Sequence, residues 1–347
     1  MRANELFLAL APVVLANPIL RSEKTQDVHI VLELSKEASQ AAVTVWNKVQ
    51  SGAIANSCSE SLASGPFENH PIAFKVDENG SGNLTIGDES YSIGGGDDAI
   101  ECGRIASETE LVVNCIVSLP GSVELKPLGK RGLKTCFPDG PLEVTQAMDV
   151  FEGKVESESP PDVAPAELSQ TEVDKIVKEN HLDKRQTPCG IWSSQTRRVG
   201  NGNPHQNPLN IQLSEPMQCP GHIGCSTYHT TSRSYSIGWT ANAATSWISA
   251  GFDVVTTIET GNSYVCNGNP NDFFAVWKNQ GQTAYTVQNG VYNSCTNSWL
   301  SVGGHIIVWS PNANNRRGFY YCVYGRNYVR AMGDRWLDTS PNTPGGP

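Results

Sequence analysis

The fold class is decided by the stretch Phe273-Phe-Ala-Val-Trp-Lys-Asn-Gln-Gly-Gln-Thr-Ala-Tyr-Thr-Val-Gln288. It contains two runs, at 273–277 and 284–288, that are rich in aromatic and β-branched residues, which favour strands. Asn279-Gln-Gly281 lies between the runs and predicts a hairpin turn, because Asn and Gly tolerate the backbone conformations that tight turns need. The stretch therefore predicts two neighbouring strands.

Similar runs surround this stretch on both sides. Strands are predicted at 233–239, 252–259, 305–309 and 319–324, with a second hairpin turn at 311–318, and only 241–249 could form a helix. Short strands separated by Gly- and Asn-rich turns are typical of sandwiches and barrels. We therefore expect residues 186–338 to form an all-β sandwich or barrel, followed by a disordered tail at 339–347.

The upstream part of the chain has a different character. We expect a small acidic α+β domain over residues 18–150, with a strand at 28–34, a helix at 35–50, and strands at 83–86, 90–93 and 111–119. Residues 151–185 then form a linker rich in Pro, Glu and Ser. The linker holds one short helix, which Ser169 and Glu172 start as a capping box.

The first residues predict export from the cell. Arg2 supplies a positive charge, residues 6–15 are apolar, and Val14-Leu15-Ala16 fits the small-residue cleavage rule, so residues 1–17 are interpreted as a signal peptide. No later run approaches the roughly 20 apolar residues of a membrane span. The sequence thus predicts a secreted, extracellular protein without a membrane span.

Cysteine usage agrees with an oxidising compartment. Four cysteines lie upstream and six downstream, and both numbers are even, so each part can form disulfides internally, in pairings that the sequence leaves open. The predicted disulfide cysteines are Cys58, Cys102, Cys115, Cys136, Cys189, Cys219, Cys225, Cys266, Cys295 and Cys322. Asn79-Gly-Ser81 and Asn83-Leu-Thr85 predict glycosylation of Asn79 and Asn83.

A basic doublet separates the two unlike parts. Lys184-Arg185 follows the acidic linker and predicts cleavage by a processing protease of the kexin type, whose acidic pockets pair with adjacent cations. Residues 186–347 hold nine Lys/Arg and six Asp/Glu, a net charge of +3, whereas the upstream part carries −13. This asymmetry suggests that the upstream pro-segment holds or silences the downstream domain. A charge of only +3 argues against nucleic acid as a partner.

No catalytic motif is present. Cys219-x2-His222-x2-Cys225-x3-His229 has ligand types that suit Zn²⁺, but in an exported protein these cysteines are expected in disulfides, so neither a metal nor another cofactor is predicted. The candidates for general acid or base chemistry are His205, His222, His229, His305, Glu215, Glu259, Asp253 and Asp272. Their spacing selects no pair. The aromatic candidates for sugar stacking are Trp299, Tyr320, Tyr324, Tyr328 and Trp336.

The stretch Ser249-Ala-Gly-Phe-Asp-Val-Val-Thr-Thr-Ile-Glu-Thr-Gly-Asn-Ser-Tyr-Val-Cys-Asn-Gly-Asn-Pro270, with 275–277 and 283–287, resembles secreted cysteine-rich proteins of filamentous fungi. Some proteins of this kind are effector or killer-toxin candidates. The resemblance covers the downstream part only and carries over no functional residue. It implies an effector- or toxin-like protein that binds an extracellular or host target. A secreted hydrolase such as a ribonuclease, or a carbohydrate-binding protein of the cell wall, stays open as an alternative.

Overall fold

The computed structural model describes residues 25–94, 100–121, 123–129, 132–154, 157–158, 168–182, 191–228, 234–235, 258–259, 264–313 and 316–339. We call residues 25–182 the N-terminal portion and residues 191–339 the C-terminal portion. The N-terminal portion has strands at Thr25–Ser35 (β1), Gln40–Asn47 (β2), Ala53–Ser57 (β3), Ser61–Leu62 (β4), Ile72–Val76 (β5), Gly82–Ile86 (β6), Glu89–Ile93 (β7), Glu101–Ala106 (β8), Glu110–Pro120 (β9) and Ser157–Glu158 (β10). Its α-helices are Glu143–Phe151 (α1) and Gln170–Glu179 (α2), and Gly65–Phe67 forms a short 3-10 helix.

The described residues of the C-terminal portion contain strands but no α-helix. They are Trp192–Arg198 (β11), His205–Gln206 (β12), Leu209–Gln212 (β13), Met217–Gln218 (β14), Cys225–Tyr228 (β15), Ser234–Tyr235 (β16), Ile258–Glu259 (β17), Val265–Gly268 (β18), Phe273–Gln280 (β19), Gln282–Asn293 (β20), Ser298–Pro311 (β21), Phe319–Tyr324 (β22) and Arg335–Asp338 (β23). The chain is thus mostly β-sheet.

One antiparallel sheet of eleven strands runs through both portions. Its order is β10-β23-β13-β19-β22-β8-β9-β1-β2-β3, and β14 also pairs with β19. The junction between the portions lies at β22 and β8, where Val323 pairs with Ile105 and Tyr324 with Arg104. We call this sheet the main sheet. In the main sheet, strands of the N-terminal portion and strands of the C-terminal portion are hydrogen-bonded neighbours.

The main sheet is covered on both faces because its strands alternate between two hydrophobic clusters. Strands β4, β5, β6 and β7 form a separate four-stranded sheet, which we call the β4–β7 sheet. In β19, Phe274 and Val276 contribute to one cluster, together with residues of the β4–β7 sheet and with Ala284 and Trp309. Ala275 and Trp277 contribute to the other cluster, which α1 covers. The fold therefore has three layers, and residues of both portions share each cluster.

Smaller sheets complete the fold. Strands β11, β12, β20 and β21 form a second sheet around the long β20–β21 hairpin, and α2 packs on it through Val173 and Val177, which contact Trp192 and Val291. Ser169 accepts the Glu172 N–H while the Glu172 carboxylate accepts the Ser169 N–H, so the predicted capping box of α2 is present.

The helix predicted over residues 35–50 is wrong, because this segment forms the end of β1, a turn and β2. The alanines of the segment have helical spacing, but Val43-Thr44-Val45 is a β-branched run. Val43 pairs with Leu32 and Val45 with Ile30, and all four side chains are fully buried. Cross-strand burial therefore overrides a weak helical pattern.

The two predicted hairpin turns are also wrong, although the strands on either side of them are confirmed. After Gln280 the chain passes from β19 in the main sheet to β20 in the second sheet, and after β21 it returns to β22 in the main sheet. Both segments are thus corners between sheets. At Gly281 an added Cβ would lie 2.1 Å from the Arg316 carbonyl oxygen, so the two corners approach too closely for a side chain.

Four disulfides are described, and each lies within one portion: Cys58–Cys136, Cys102–Cys115, Cys219–Cys225 and Cys266–Cys322. Cys295 is also disulfide-bonded. The prediction of an all-β fold stabilised by disulfides is therefore confirmed at this level. In the part of the chain that the structure describes, no helix has the length and apolar character needed to cross a bilayer.

Several predicted features lie outside the described residues. They are the signal peptide at 1–17, the doublet Lys184-Arg185, Cys189, His229, Asp253, the helix at 241–249, the tail from residue 340 onward, and most of the strands at 233–239 and 252–259. The linker at 151–185 is described only in part.

Candidate functional site

The histidines considered for catalysis lie apart. His205 is partly exposed on β12, where its Nδ1 lies 2.8 Å from the Asn203 carbonyl oxygen. His222 is exposed in the turn before β15, and His305 is exposed on β21. None of these three histidines lines either of the two cavities described below. The described histidines therefore provide no paired acid and base.

The acidic candidates and the Cys-His cluster do not form a site either. Glu215 is exposed, and Asp272 is buried in an ion pair with Arg104. Cys219 and Cys225 are disulfide-bonded to each other, which removes both thiolates as ligands. Among the described residues no three His, Cys, Asp or Glu side chains come close enough together to hold a metal ion.

The aromatic candidates are mainly structural. Tyr324 and Tyr328 are buried, and Trp336 stacks against Trp277 with ring centroids 5.2 Å apart. Tyr320 stacks on Tyr264, and Trp299 lies beside the Arg197 guanidinium. In the described part of the chain these side chains do not form an exposed row, so stacking on a sugar along a flat sheet face has no support.

The two predicted glycosylation sites lie in β6 and in the turn before it. Asn83 is exposed on β6, whereas Asn79 is half-buried in the turn that precedes this strand. The Asn79 backbone is also engaged, because its carbonyl oxygen accepts a hydrogen bond of 3.1 Å from Arg104. Asn83 is thus the more accessible of the two acceptors.

A buried ion pair joins the two portions beside the β8–β22 junction. Arg104 of β8 donates to Asp272, with 3% and 1% of the two side chains exposed. Asp272 also accepts the Asn269 N–H at 2.8 Å. The Arg104 guanidinium lies 4.4 Å from the Tyr324 ring centroid and donates to Ser81 as well. Both charges are thus neutralised and hydrogen-bonded, as buried charges require.

The junction cavity opens next to this ion pair and has a volume of about 350 Å³. Its wall includes Arg104 and Asp272, together with Phe273, Arg326 and Glu101. Arg326 lies over the Phe273 ring at 4.9 Å from the centroid, so part of its charge is already engaged. Three of the charged groups in this wall link the two portions, since Arg104 pairs with Asp272 and Glu101 accepts a hydrogen bond from Asn327.

A second cavity, of about 390 Å³, lies between α1 and the main sheet. We call it the amide cavity, because Gln206, Asn210 and Asn279 line its sheet side. These three side chains are 3%, 1% and 6% exposed. Phe319, Arg317 and Asp338 also belong to the C-terminal portion, whereas Glu143, Gln146, Ala147 and Val150 come from α1. Both portions therefore build this cavity.

Hydrogen bonds fix the amides beneath the cavity. Asn210 Oδ1 accepts from Tyr321 Oη at 2.8 Å and from Asn279 Nδ2 at 3.1 Å. Gln206, Thr283 and Asn312 bond to one another in a ring with contacts of 2.7–2.9 Å. A network of this kind holds its side chains in fixed orientations. Fixed amides can give a binding site a defined pattern of donors and acceptors.

The rim of the amide cavity carries charges of both signs. The Glu143 side chain reaches solvent, yet the surrounding protein removes enough water to raise the pKa of its carboxyl. The Glu110 carboxylate adds to this effect, and the Arg317 guanidinium opposes it. The cavity thus offers amides, carboxylates, one guanidinium and one aromatic ring to a ligand.

Lys278 is a buried titratable group that the sequence analysis did not single out. It lies on β19, 1% exposed, with its Nζ 5.4 Å from the Tyr320 ring centroid. No carboxylate of the described residues pairs with it, and burial lowers its pKa to about 8. The amine faces the opposite side of the main sheet from the amide cavity, because its neighbour Asn279 points the other way.

Sequence reasoning missed Arg104 and the amides of the cavity. Little signal for them is present in the sequence, because Arg104 lies in β8, where no strand was predicted, and Asn279 lies in β19 at a position predicted as a turn. Polar groups in buried strands need partners, which marks such positions as network residues. The partners that join distant strands could not be predicted, because Asn210 lies 69 residues from Asn279 and Arg104 lies 168 residues from Asp272.

The chain matches no protein-family model, no curated protein and no solved structure. The geometry of the molecule is therefore the basis for its functional assignment.

Proposed function

We propose that this chain is the precursor of a secreted, effector- or toxin-like binding protein of the fungal type, cut after Lys184-Arg185, which binds an extracellular target at the amide cavity. The observation that carries the proposal is the cavity itself, with its fixed amides beside Phe319 and a charged rim. Sites that bind without reacting need this pattern of donors and acceptors, and they need no activated nucleophile or base.

The disulfides support the extracellular setting, because such bonds persist in oxidising compartments. The separation of His205, His222 and His305 supports binding rather than hydrolysis, since a ribonuclease-like site would need two such groups at one cavity.

A cell-wall glycan is the candidate ligand class. Asn, Gln, Asp, Glu and Arg side chains can each bond vicinal hydroxyl groups, and Phe319 offers a ring on which a sugar face can pack. A volume of about 390 Å³ suits one or two sugar units rather than a folded protein surface.

The test compares the wild type with Gln146→Trp, which places a bulky ring at the mouth of the amide cavity. Thr171→Trp, at an exposed position of α2, is the matched control. Fluorescently labelled proteins are bound to intact fungal and plant cells and titrated with soluble chitin, β-glucan and mannan oligomers. We expect binding by the wild type and by Thr171→Trp, and a loss of binding in Gln146→Trp.

Two results would contradict the proposal. Equal binding by all three proteins would show that the cavity is not the binding site. Turnover of RNA or of a polysaccharide by catalytic amounts of the protein, measured as new chain ends, would establish a hydrolase instead.

A further inference from the structure

We propose that cleavage after Lys184-Arg185 does not release the C-terminal portion, and that the N-terminal portion remains bound as the second chain of a two-chain protein. This inference rests on the processing step of the proposed function but is independent of the ligand. Its partner surface is the part of the main sheet that the C-terminal portion contributes.

The first argument is the strand order. The C-terminal strands β23, β13, β19 and β22 form a continuous block, and the N-terminal portion pairs with both of its outer strands, through β10 at β23 and through β8 at β22. Removing the N-terminal portion would expose two strand edges at once. Unpaired edges in a long sheet favour pairing with another chain, so their exposure is unfavourable for a soluble protein.

The second argument is the buried ion pair. Arg104 belongs to the N-terminal portion and Asp272 to the C-terminal portion, and each is nearly inaccessible to solvent. Asn269 of the C-terminal portion also donates to Asp77 at 2.8 Å, and Tyr328 donates to Glu152 at 3.4 Å. Separation would leave polar groups of both chains to be rehydrated.

The third argument is the apolar surface beneath α1. Phe151 packs edge-on against Trp277 and Trp336, with centroid distances of 4.9 and 5.1 Å. Trp277 is fully buried, and Tyr321 beside it is fully buried as well. Without α1 these rings would form a large exposed apolar patch, which is unusual for a soluble protein.

A fourth argument comes from the second sheet, where α2 packs against the C-terminal portion. Its Val173 and Val177 pack on Trp192 and Val291, and the Leu168 N–H donates to Ser194 Oγ at 3.0 Å. The contacts of the N-terminal portion with the C-terminal portion thus extend along its sequence from Asp77 to α2. Release would have to break all these contacts together.

The link between the chains is non-covalent. The four cysteines of the N-terminal portion are paired with one another, as Cys58–Cys136 and Cys102–Cys115. The cut protein is therefore expected to run as two bands on a denaturing gel even without reductant, while it behaves as one particle in native buffer.

The experiment cuts the folded, full-length protein at a chosen place. Residues 183–186 are replaced by the recognition sequence of a specific protease, and the cut protein is followed by size-exclusion chromatography with light scattering. We expect one peak with the mass of both chains, which persists after dilution to nanomolar concentration. Two separate peaks would overturn the proposal.

Two variants test where the association energy lies. Phe151→Ala in the cut protein is expected to weaken the association of the chains by roughly tenfold or more, because buried aromatic anchors dominate interfaces. Lys175→Ala, on the exposed side of α2, is the matched control and should leave the association unchanged. Equal association of both variants with the wild type would contradict the assigned interface.

The native processing step is tested separately. The masses of the protein secreted by its own producer show whether Lys184-Arg185 is cut. An uncut product there would refute the processing step of the proposed function, whereas the engineered cut would still report on the association of the portions.

Discussion

Asp272→Asn is the substitution that most directly tests how the two portions are joined. It keeps the shape of the side chain but removes the negative charge that faces Arg104. Because the exposed fractions of the two side chains are only 3% and 1%, solvent cannot replace the lost partner. The variant therefore leaves a buried guanidinium without a counter-charge.

The expected cost follows from that burial. Removing one charged partner of a buried ion pair typically destabilises a protein by about 3–5 kcal/mol. Arg104 retains its hydrogen bonds to the Asn79 carbonyl oxygen and Ser81, as well as the Tyr324 ring. We therefore expect the lower end of the range, about 3 kcal/mol, which for a folded unit of about 300 residues corresponds to a fall in Tm of roughly 4–5 °C.

The assay is urea unfolding followed by tryptophan fluorescence, with circular dichroism as a second probe. Lys48→Met is the control, because it breaks the ion pair with Asp27, in which 73% and 34% of the side chains are exposed. A solvent-exposed pair of this kind contributes little or nothing measurable to stability. If Asp272→Asn cost no more than this control, the buried pair would not stabilise the junction and the reasoning would be refuted.

Three further predictions concern single positions. Burial lowers the Lys278 pKa to about 8, so the Lys278 amine binds a proton more tightly in the unfolded chain than in the folded protein, and the stability of the wild type should rise between pH 8 and 10.5. In urea melts at several pH values, Lys278→Met should not show this rise, and at pH 7 it should be more stable than the wild type by up to about 3 kcal/mol. Burial raises the Glu33 pKa above 4.5, so the folded state binds the carboxyl proton more tightly than the unfolded chain, and stability should fall as the pH rises through the raised pKa. In urea melts, the stability of Glu33→Gln relative to the wild type should be greater at pH 7.5 than at pH 5. Gly103→Ala should cost about 1–3 kcal/mol, because its Cβ would lie 2.2 Å from the Tyr328 ring, while Gly304→Ala, with open space around it, should be neutral in the same melts.

Local patterns were sufficient to predict many strands but not their partners. The runs at 111–119 and 319–324 are dominated by apolar, aromatic and β-branched residues, and both form strands. The capping box of α2 was equally clear, because its two residues bond to each other. The turns at 279–281 and 311–318 look like hairpin loops in sequence, yet whether a corner joins two strands of one sheet or of two sheets depends on packing far from the turn.

The candidate site was less accessible to prediction, since its residues come from distant segments. Gln146 of α1 and Asn210 of β13 meet at one cavity although 64 positions separate them. Residue types such as His and Cys attract functional interpretation, whereas Asn and Gln in strands do not. Here the described histidines lie apart and the amides cluster, so the positions of His and Cys residues did not predict the position of the site.

The charge asymmetry of the sequence also takes on a different meaning at the junction. The N-terminal portion is acidic overall, yet it contributes the cation Arg104, and the basic C-terminal portion contributes the anion Asp272. Among ion pairs whose two partners are both described, this is the one that joins the portions. Each of its two charges is opposite in sign to the net charge of the portion that supplies it. Attraction between net charges is screened by salt within about 10 Å, whereas sheet pairing and the packing of Phe151 are not. Association of the portions should therefore persist in high salt, as a contact made by strands and aromatic rings rather than by opposite net charge.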